Sequence, residues 1–132
     1  MHITHQDFRH GIVKLRITDA DDLWYLSQLI EPGDLLRGTA SRKLKIGEGE
    51  NAKTTKKTFT VTIQAETIQF SASGTSLRIN GKIKDGPEDI PRESYQAIEL
   101  EGGDDCSIEK KQWLSYQRQK LQEAAEKKYT YL

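Results

Sequence analysis

Six cations stand close together between Arg42 and Lys57, namely Arg42, Lys43, Lys45, Lys53, Lys56 and Lys57, against only two acids, Glu48 and Glu50. Lysine and arginine clustered with hydroxyls is the chemistry that grips phosphate oxygens without reading base edges. Thr54 and Thr55 supply those hydroxyls. The tip, IGEGENA, contains Gly47 and Gly49, which open backbone angles closed to other residues. No aromatic residue lies between Arg42 and Lys57, so the segment carries no platform of its own for base stacking. The plain alternative is a solvated hairpin connection decorated with charge. Cations on both arms of the connection favour phosphate contact, and a loop of this length folded back on itself reaches roughly 10–15 Å from its base.

A second chemistry is open to Asp7, Asp19, Asp21 and Asp22, since carboxylates hold magnesium for phosphodiester cleavage. Capping and dipole effects at a helix start explain the same residues more simply. His2, His5 and His10 lack metal-ligand spacing. Cys106 is flanked by Asp104 and Asp105, whose charge raises a thiol pKa, which makes it a packing residue rather than a nucleophile. No nucleophile elbow, phosphate-binding glycine loop or dinucleotide fingerprint occurs.

These groups sit in a chain of 132 residues, the size of one domain. Its 20 basic and 20 acidic side chains balance overall, yet the balance is not local. Arg42 to Lys57 carries net +4, whereas Asp85 to Asp105 sets eight acids against Arg92 alone. An acidic protein-docking face is therefore a third reading, after RNA contact and metal-dependent cleavage. One cysteine cannot form an internal disulfide, which fits a reducing, cytoplasmic setting. No apolar run approaches the ~18 residues of a membrane span.

The elements that must position these groups follow from periodicity. Val13, Leu15 and Ile17 alternate with Lys14 and Arg16 after Gly11, which predicts an N-terminal hairpin. A helix capped by Asp19 follows, with Leu23, Leu26 and Ile30 on one face, Trp24 and Tyr25 widening its apolar surface, and Pro32-Gly33 ending it. Leu36, Gly38 and Ala40 mark a strand that bends or packs closely. Phe59, Val61, Ile63 and Ala65 mark the clearest strand, followed by a short one at Ile68 and Phe70. Leu77, Ile79, Gly81 and Ile83 mark the next, and Ile98 and Leu100 an edge strand. From about Lys110, Trp113, Leu114, Tyr116, Leu121, Ala124 and Ala125 predict a final helix. The fold class is mainly β with α (α+β), a strongly bent antiparallel barrel with one helix early in the chain and one at its C-terminal end.

With these residues placed, the sequence resembles the N-terminal domain of the Pelota family, ribosome-rescue relatives of class 1 termination factors, and its archaeal members above all. The resemblance rests on Asp21-Asp22-Leu23-Trp24-Tyr25-Leu26, Ile30-Glu31-Pro32-Gly33-Asp34, Arg42-Lys43, and Gly86-Pro87-Glu88-Asp89-Ile90-Pro91 with Ser94-Tyr95. It implies an Sm-like barrel over residues 1–126, with 127–132 opening a linker or central domain. It also implies an RNA-contacting module for mRNA surveillance, whose basic loop enters the vacant decoding site of a stalled ribosome. The RNA-binding residues are then Arg42, Lys43, Lys45, Lys53, Thr54, Thr55, Lys56 and Lys57, with no cofactor. The implied partners are ribosomal and messenger RNA and, for a full-length protein, a translational GTPase of the elongation factor 1 alpha type and the ribosome-recycling ABC ATPase; no membrane is involved. The competing expectation is an endoribonuclease using a divalent metal on Asp7, Asp21 and Asp22.

Overall fold

The computed structural model describes residues 1–46, 49 and 53–126, with the backbone alone described at 44–46 and 53. Alternating apolar residues build seven strands, β1 (His2–Asp7), β2 (Ile12–Arg16), β3 (Leu35–Ile46), β4 (Lys53–Phe70), β5 (Leu77–Asp85), β6 (Tyr95–Leu100) and β7 (Asp105–Glu109). Two helices accompany them, α1 (Ala20–Leu29) and α2 (Ser115–Glu126). All strand pairs are antiparallel, in the order β1-β2-β7-β3-β4-β5-β6. The sheet curls until β6 lies beside β3, where side chains rather than a backbone ladder bridge the seam.

One face of each strand fills the barrel. Leu36 and Ala40 of β3, Phe59, Val61, Ile63 and Ala65 of β4, Leu77, Ile79 and Ile83 of β5, and Ile98 and Leu100 of β6 are buried together. α1 covers this core with Leu23, Leu26 and Leu29, while Trp24 stays half exposed instead of widening the apolar face. Its indole carries Lys120 of α2 at 5.3 Å and meets the Tyr25 ring edge-on. The stretch expected as a separate strand at Ile68 and Phe70 belongs to β4, which runs unbroken through a register shift between Ala65 and Thr67. Gly81 makes that bulge possible: a Cβ there would lie 2.0 Å from the Gln64 carbonyl oxygen. Gly38 packs closely too, since its added Cβ would meet Ile98 Cγ2 at 3.3 Å.

β7 was not anticipated by periodicity, although Cys106 and Ile108 alternate with Asp105, Ser107 and Glu109. Helix α2 begins at Ser115, later than expected, so Trp113 enters the core ahead of it while Leu114 and Tyr116 stay exposed. The Trp113 indole N–H donates to the Gly11 carbonyl at 2.8 Å. Buried Lys110 pairs with Asp34, and Gln117 donates to Glu31, which fastens the start of α2 to the turn after α1.

Candidate nucleic-acid interface

The basic arms expected as a loop are the far ends of β3 and β4. Their ladder continues pair by pair from Leu35↔Gln64 out to Ile46↔Lys53. Past the barrel wall, from Arg42 to Ile46, this two-stranded ribbon advances about 14 Å at the strand rise of ~3.4 Å per residue. The β4 arm, Lys53-Thr54-Thr55-Lys56-Lys57, carries no apolar residue, so hydrophobic periodicity is blind to it, although Leu44 and Ile46 of the β3 arm alternate with Lys43 and Lys45. Of the tip IGEGENA, positions 47, 48 and 50–52 lie outside the described residues.

Register sorts the cations into two sets, because residues directly opposite in an antiparallel pair share a face. Arg42 lies opposite Lys57 on the face that continues the core side of both strands. Arg42 Nε donates to Gln96 Oε1 and Nη2 to the Tyr95 carbonyl, each at 3.1 Å, so the guanidinium sews β3 to β6. Lys57 Nζ donates to the Asp89 carboxylate, and this hydrogen bond, together with the lysine charge, holds Asp89 below its ordinary value. These two cations anchor the ribbon at its root. Lys43 lies opposite Lys56 on the other face, and both are exposed, as are Thr54 and Thr55. Lys45 pairs with Thr54 and Lys53 with Ile46 in backbone register, while their side chains lie outside the described residues.

The residues that fix the root, Asp89 and Gln96, were not singled out by sequence reasoning. Asp89 sits in the quoted Gly86–Pro91 turn, but only the folded register brings it to Lys57.

Of the carboxylates proposed for metal-dependent cleavage, Asp7 and Asp22 are engaged elsewhere. Asp19 caps α1 by accepting from the Asp22 backbone N–H at 3.2 Å, and Asp22 reciprocates. Asp22 also receives Thr18 through its N–H and its hydroxyl, each at 2.8 Å, and the Met1 ammonium at 2.8 Å in a fully buried pair. Asp7 receives His10 Nδ1 at 2.7 Å, and that hydrogen bond lowers its pKa. Asp21 is an exposed first-turn residue. Among the described residues no three His, Cys, Asp or Glu side chains converge as metal ligands. Burial pushes the Cys106 thiol up to about 12, with Asp104 and Asp105 adding to it in the direction expected.

Most of the acidic stretch is likewise paired with cations within the chain. Asp105 takes Arg16 at 2.9 Å, Glu93 takes Lys84 at 2.8 Å, Glu99 takes Arg78 at 3.4 Å and Asp85 takes Arg37 at 3.6 Å. Spread over β5, β6, β7 and the turns between them, these acids do not form one uncompensated docking face. No described helix is long and apolar enough to cross a membrane.

The family model for the Pelota N-terminal domain matches residues 1–125. The chain belongs to the Pelota family. Relatives named as pelota homologues share 35% identity in Methanobrevibacter smithii, over 96% of this chain and 37% of that protein, and 34% in Methanothermobacter thermautotrophicus, over 94% and 36%. The Pelota fold is matched in solved structures. An archaeal Pelota described as ribosome-bound with ABCE1 superposes with a TM-score of 0.77 at 30% identity, covering 98% of this chain and 37% of that one. Archaeoglobus fulgidus Pelota superposes at 0.67 with 28% identity, covering 96% of this chain and 33% of that one. The chain thus spans little more than a third of the length of the Pelota proteins it matches.

Proposed function

We propose that this domain is the RNA-contacting N-terminal module of a ribosome-rescue factor, and that the β3–β4 ribbon enters the vacant decoding site of a stalled ribosome. The observation that carries the reading is the exposed pair Lys43 and Lys56, set directly opposite each other. Like charges in that relation destabilise a sheet. A polyanion between or above them converts the repulsion into binding energy, and contact with backbone phosphates is independent of codon sequence. Arg42 and Lys57 serve differently from Lys43 and Lys56: they hold the ribbon at a fixed angle to the barrel, so that it arrives preformed and little order has to be gained on binding. Thr54 and Thr55 add hydroxyls on the same arm, and Lys45 and Lys53 extend the charge toward the tip.

In this proposal the ribosome and its message are the partners of the ribbon. The translational GTPase and the recycling ABC ATPase are partners of the longer rescue factor as a whole. The ribosome-bound state described for the archaeal relative supports the assignment. The test is cosedimentation with vacant ribosomes: Lys43→Glu with Lys56→Glu weakens binding at moderate salt, and retention of wild-type binding would refute the ribbon's role.

A further inference from the structure

We propose that the outer groove along the β3–β6 seam holds one nucleotide of single-stranded RNA, with its base stacked on Tyr95 and its phosphate drawn to Lys56. The proposal rests on reading the ribbon as an RNA contact and adds to it the aromatic platform that the segment Arg42–Lys57 lacks.

The groove encloses about 650 Å³, within the range of ~300–1,000 Å³ typical of small-ligand sites. Ser41 and Thr58 line it from the ribbon side, and Asn80, Tyr95 and Ala97 from β5 and β6, with Lys56 at its edge. Tyr95 is 56% exposed. It is nevertheless held at both ends. Its carbonyl accepts from Arg42, and its hydroxyl donates to Glu66 Oε1 at 3.4 Å. Lys82 Nζ stands 5.8 Å from the ring centroid. A ring fixed in place and covered on one face by a cation offers the other face to a flat π-system at little entropic cost. The hydroxyls of Ser41 and Thr58 and the amide of Asn80 match the donor and acceptor needs of a ribose.

Charge sets the occupant and its direction. Glu99, Glu101 and Asp104 close the end of the groove away from Lys56, and Arg78 beside them is paired with Glu99, so a phosphate chain running through it meets a net negative charge. A strand that places one base on Tyr95 therefore leaves along the ribbon, past Lys56 and Lys43. A peptide finds no deep apolar pocket here, because the aliphatic lining consists of alanines, Ala40 and Ala97. Stacking tolerates any base, as contact with unrelated messages requires.

The test is an NMR titration of the isotopically labelled chain with hexamers of oligoadenylate and oligouridylate at low salt. Amides at Asn80 and Ala97 shift on binding, and oligoadenylate binds more tightly, since a purine stacks over more area. Tyr95→Phe keeps the π-face but loses the Glu66 tether, and weakens binding less than the loss of the ring does. Tyr95→Leu retains apolar bulk without a π-face and weakens binding about 5- to 150-fold. Lys43→Glu, whose side chain does not line the groove, is measured beside them. If Lys43→Glu weakens binding while Tyr95→Leu leaves it unchanged, the nucleotide site is overturned and the ribbon reading stands. If neither variant changes binding, both fall.

Discussion

Lys43 faces Lys56 directly across the β3–β4 ladder, and neither has an ion-pair partner among the described residues. The adjacent rung sets Arg42 against Lys57, but there each cation is bound to a group outside the ribbon. The contrast separates cations that build the ribbon from cations it presents.

Replacing one member of the exposed rung by an acid should therefore improve the fold while harming its use. Lys56→Glu turns a repulsive cross-strand pair into an attractive one and stabilises the domain by up to about 1 kcal/mol. Thermal denaturation should show a higher midpoint for the variant, and RNA affinity should fall. A lower midpoint would mean that Lys56 has a structural partner.

Asp22 should prove far more important to stability than to any chemistry. Its carboxylate and the Met1 ammonium are both fully buried, so Asp22→Ala leaves a charge without its counterion and costs about 3–5 kcal/mol. Asp19→Ala removes only a cap and costs about 1 kcal/mol. Urea denaturation of the two variants resolves the difference, and equal losses would contradict the buried-pair account.

Glycine to alanine changes should rank by what the new methyl meets. At Gly81 it meets the Gln64 backbone carbonyl at 2.0 Å, so β4 and β5 must separate and the cost is about 1–3 kcal/mol or more. At Gly38 it meets the movable Ile98 side chain at 3.3 Å, and the cost is below about 1 kcal/mol. Chemical denaturation that ranks Gly38→Ala as the more damaging would show the bulge to be misplaced.

The root of the ribbon has a pH signature. Asp89 titrates below its ordinary 3.8 because Lys57 donates to the ionised carboxylate. A lowered folded-state value means that the native state holds fewer protons than the unfolded chain near that pH. The contribution of the pair is complete above 3.8 and is lost as pH falls through the lowered value. In Lys57→Met the Asp89 carboxyl resonance should titrate at a higher pH than in the wild type. An unchanged titration would mean that the pair does not form in solution.

Much of the barrel was legible because its buried residues are apolar and alternate. Phe59, Val61, Ile63 and Ala65 could hardly serve another element, and Leu23 and Leu26 mark a helix face. β7 escaped notice because only Cys106 and Ile108 carry its inward signal, and acids surround them. Trp24 was misjudged as buried since hydropathy does not register that a lysine one helix away covers its ring. The cationic residues were legible as a group, but not their division into anchors and free charges. That division depends on the one-to-one register of β3 with β4, and on Gln96 and Asp89 arriving from sequence positions more than 30 residues away.

The central claim, that the outward rung of this ribbon neutralises ribosomal RNA phosphate, is met most directly by the salt dependence of binding to vacant ribosomes. For the wild type, log affinity should fall linearly with log salt concentration, and Lys43→Glu with Lys56→Glu should flatten that slope by about 1–2, roughly one for each phosphate that the pair no longer neutralises. A double variant that binds with the same affinity and the same slope would contradict the claim.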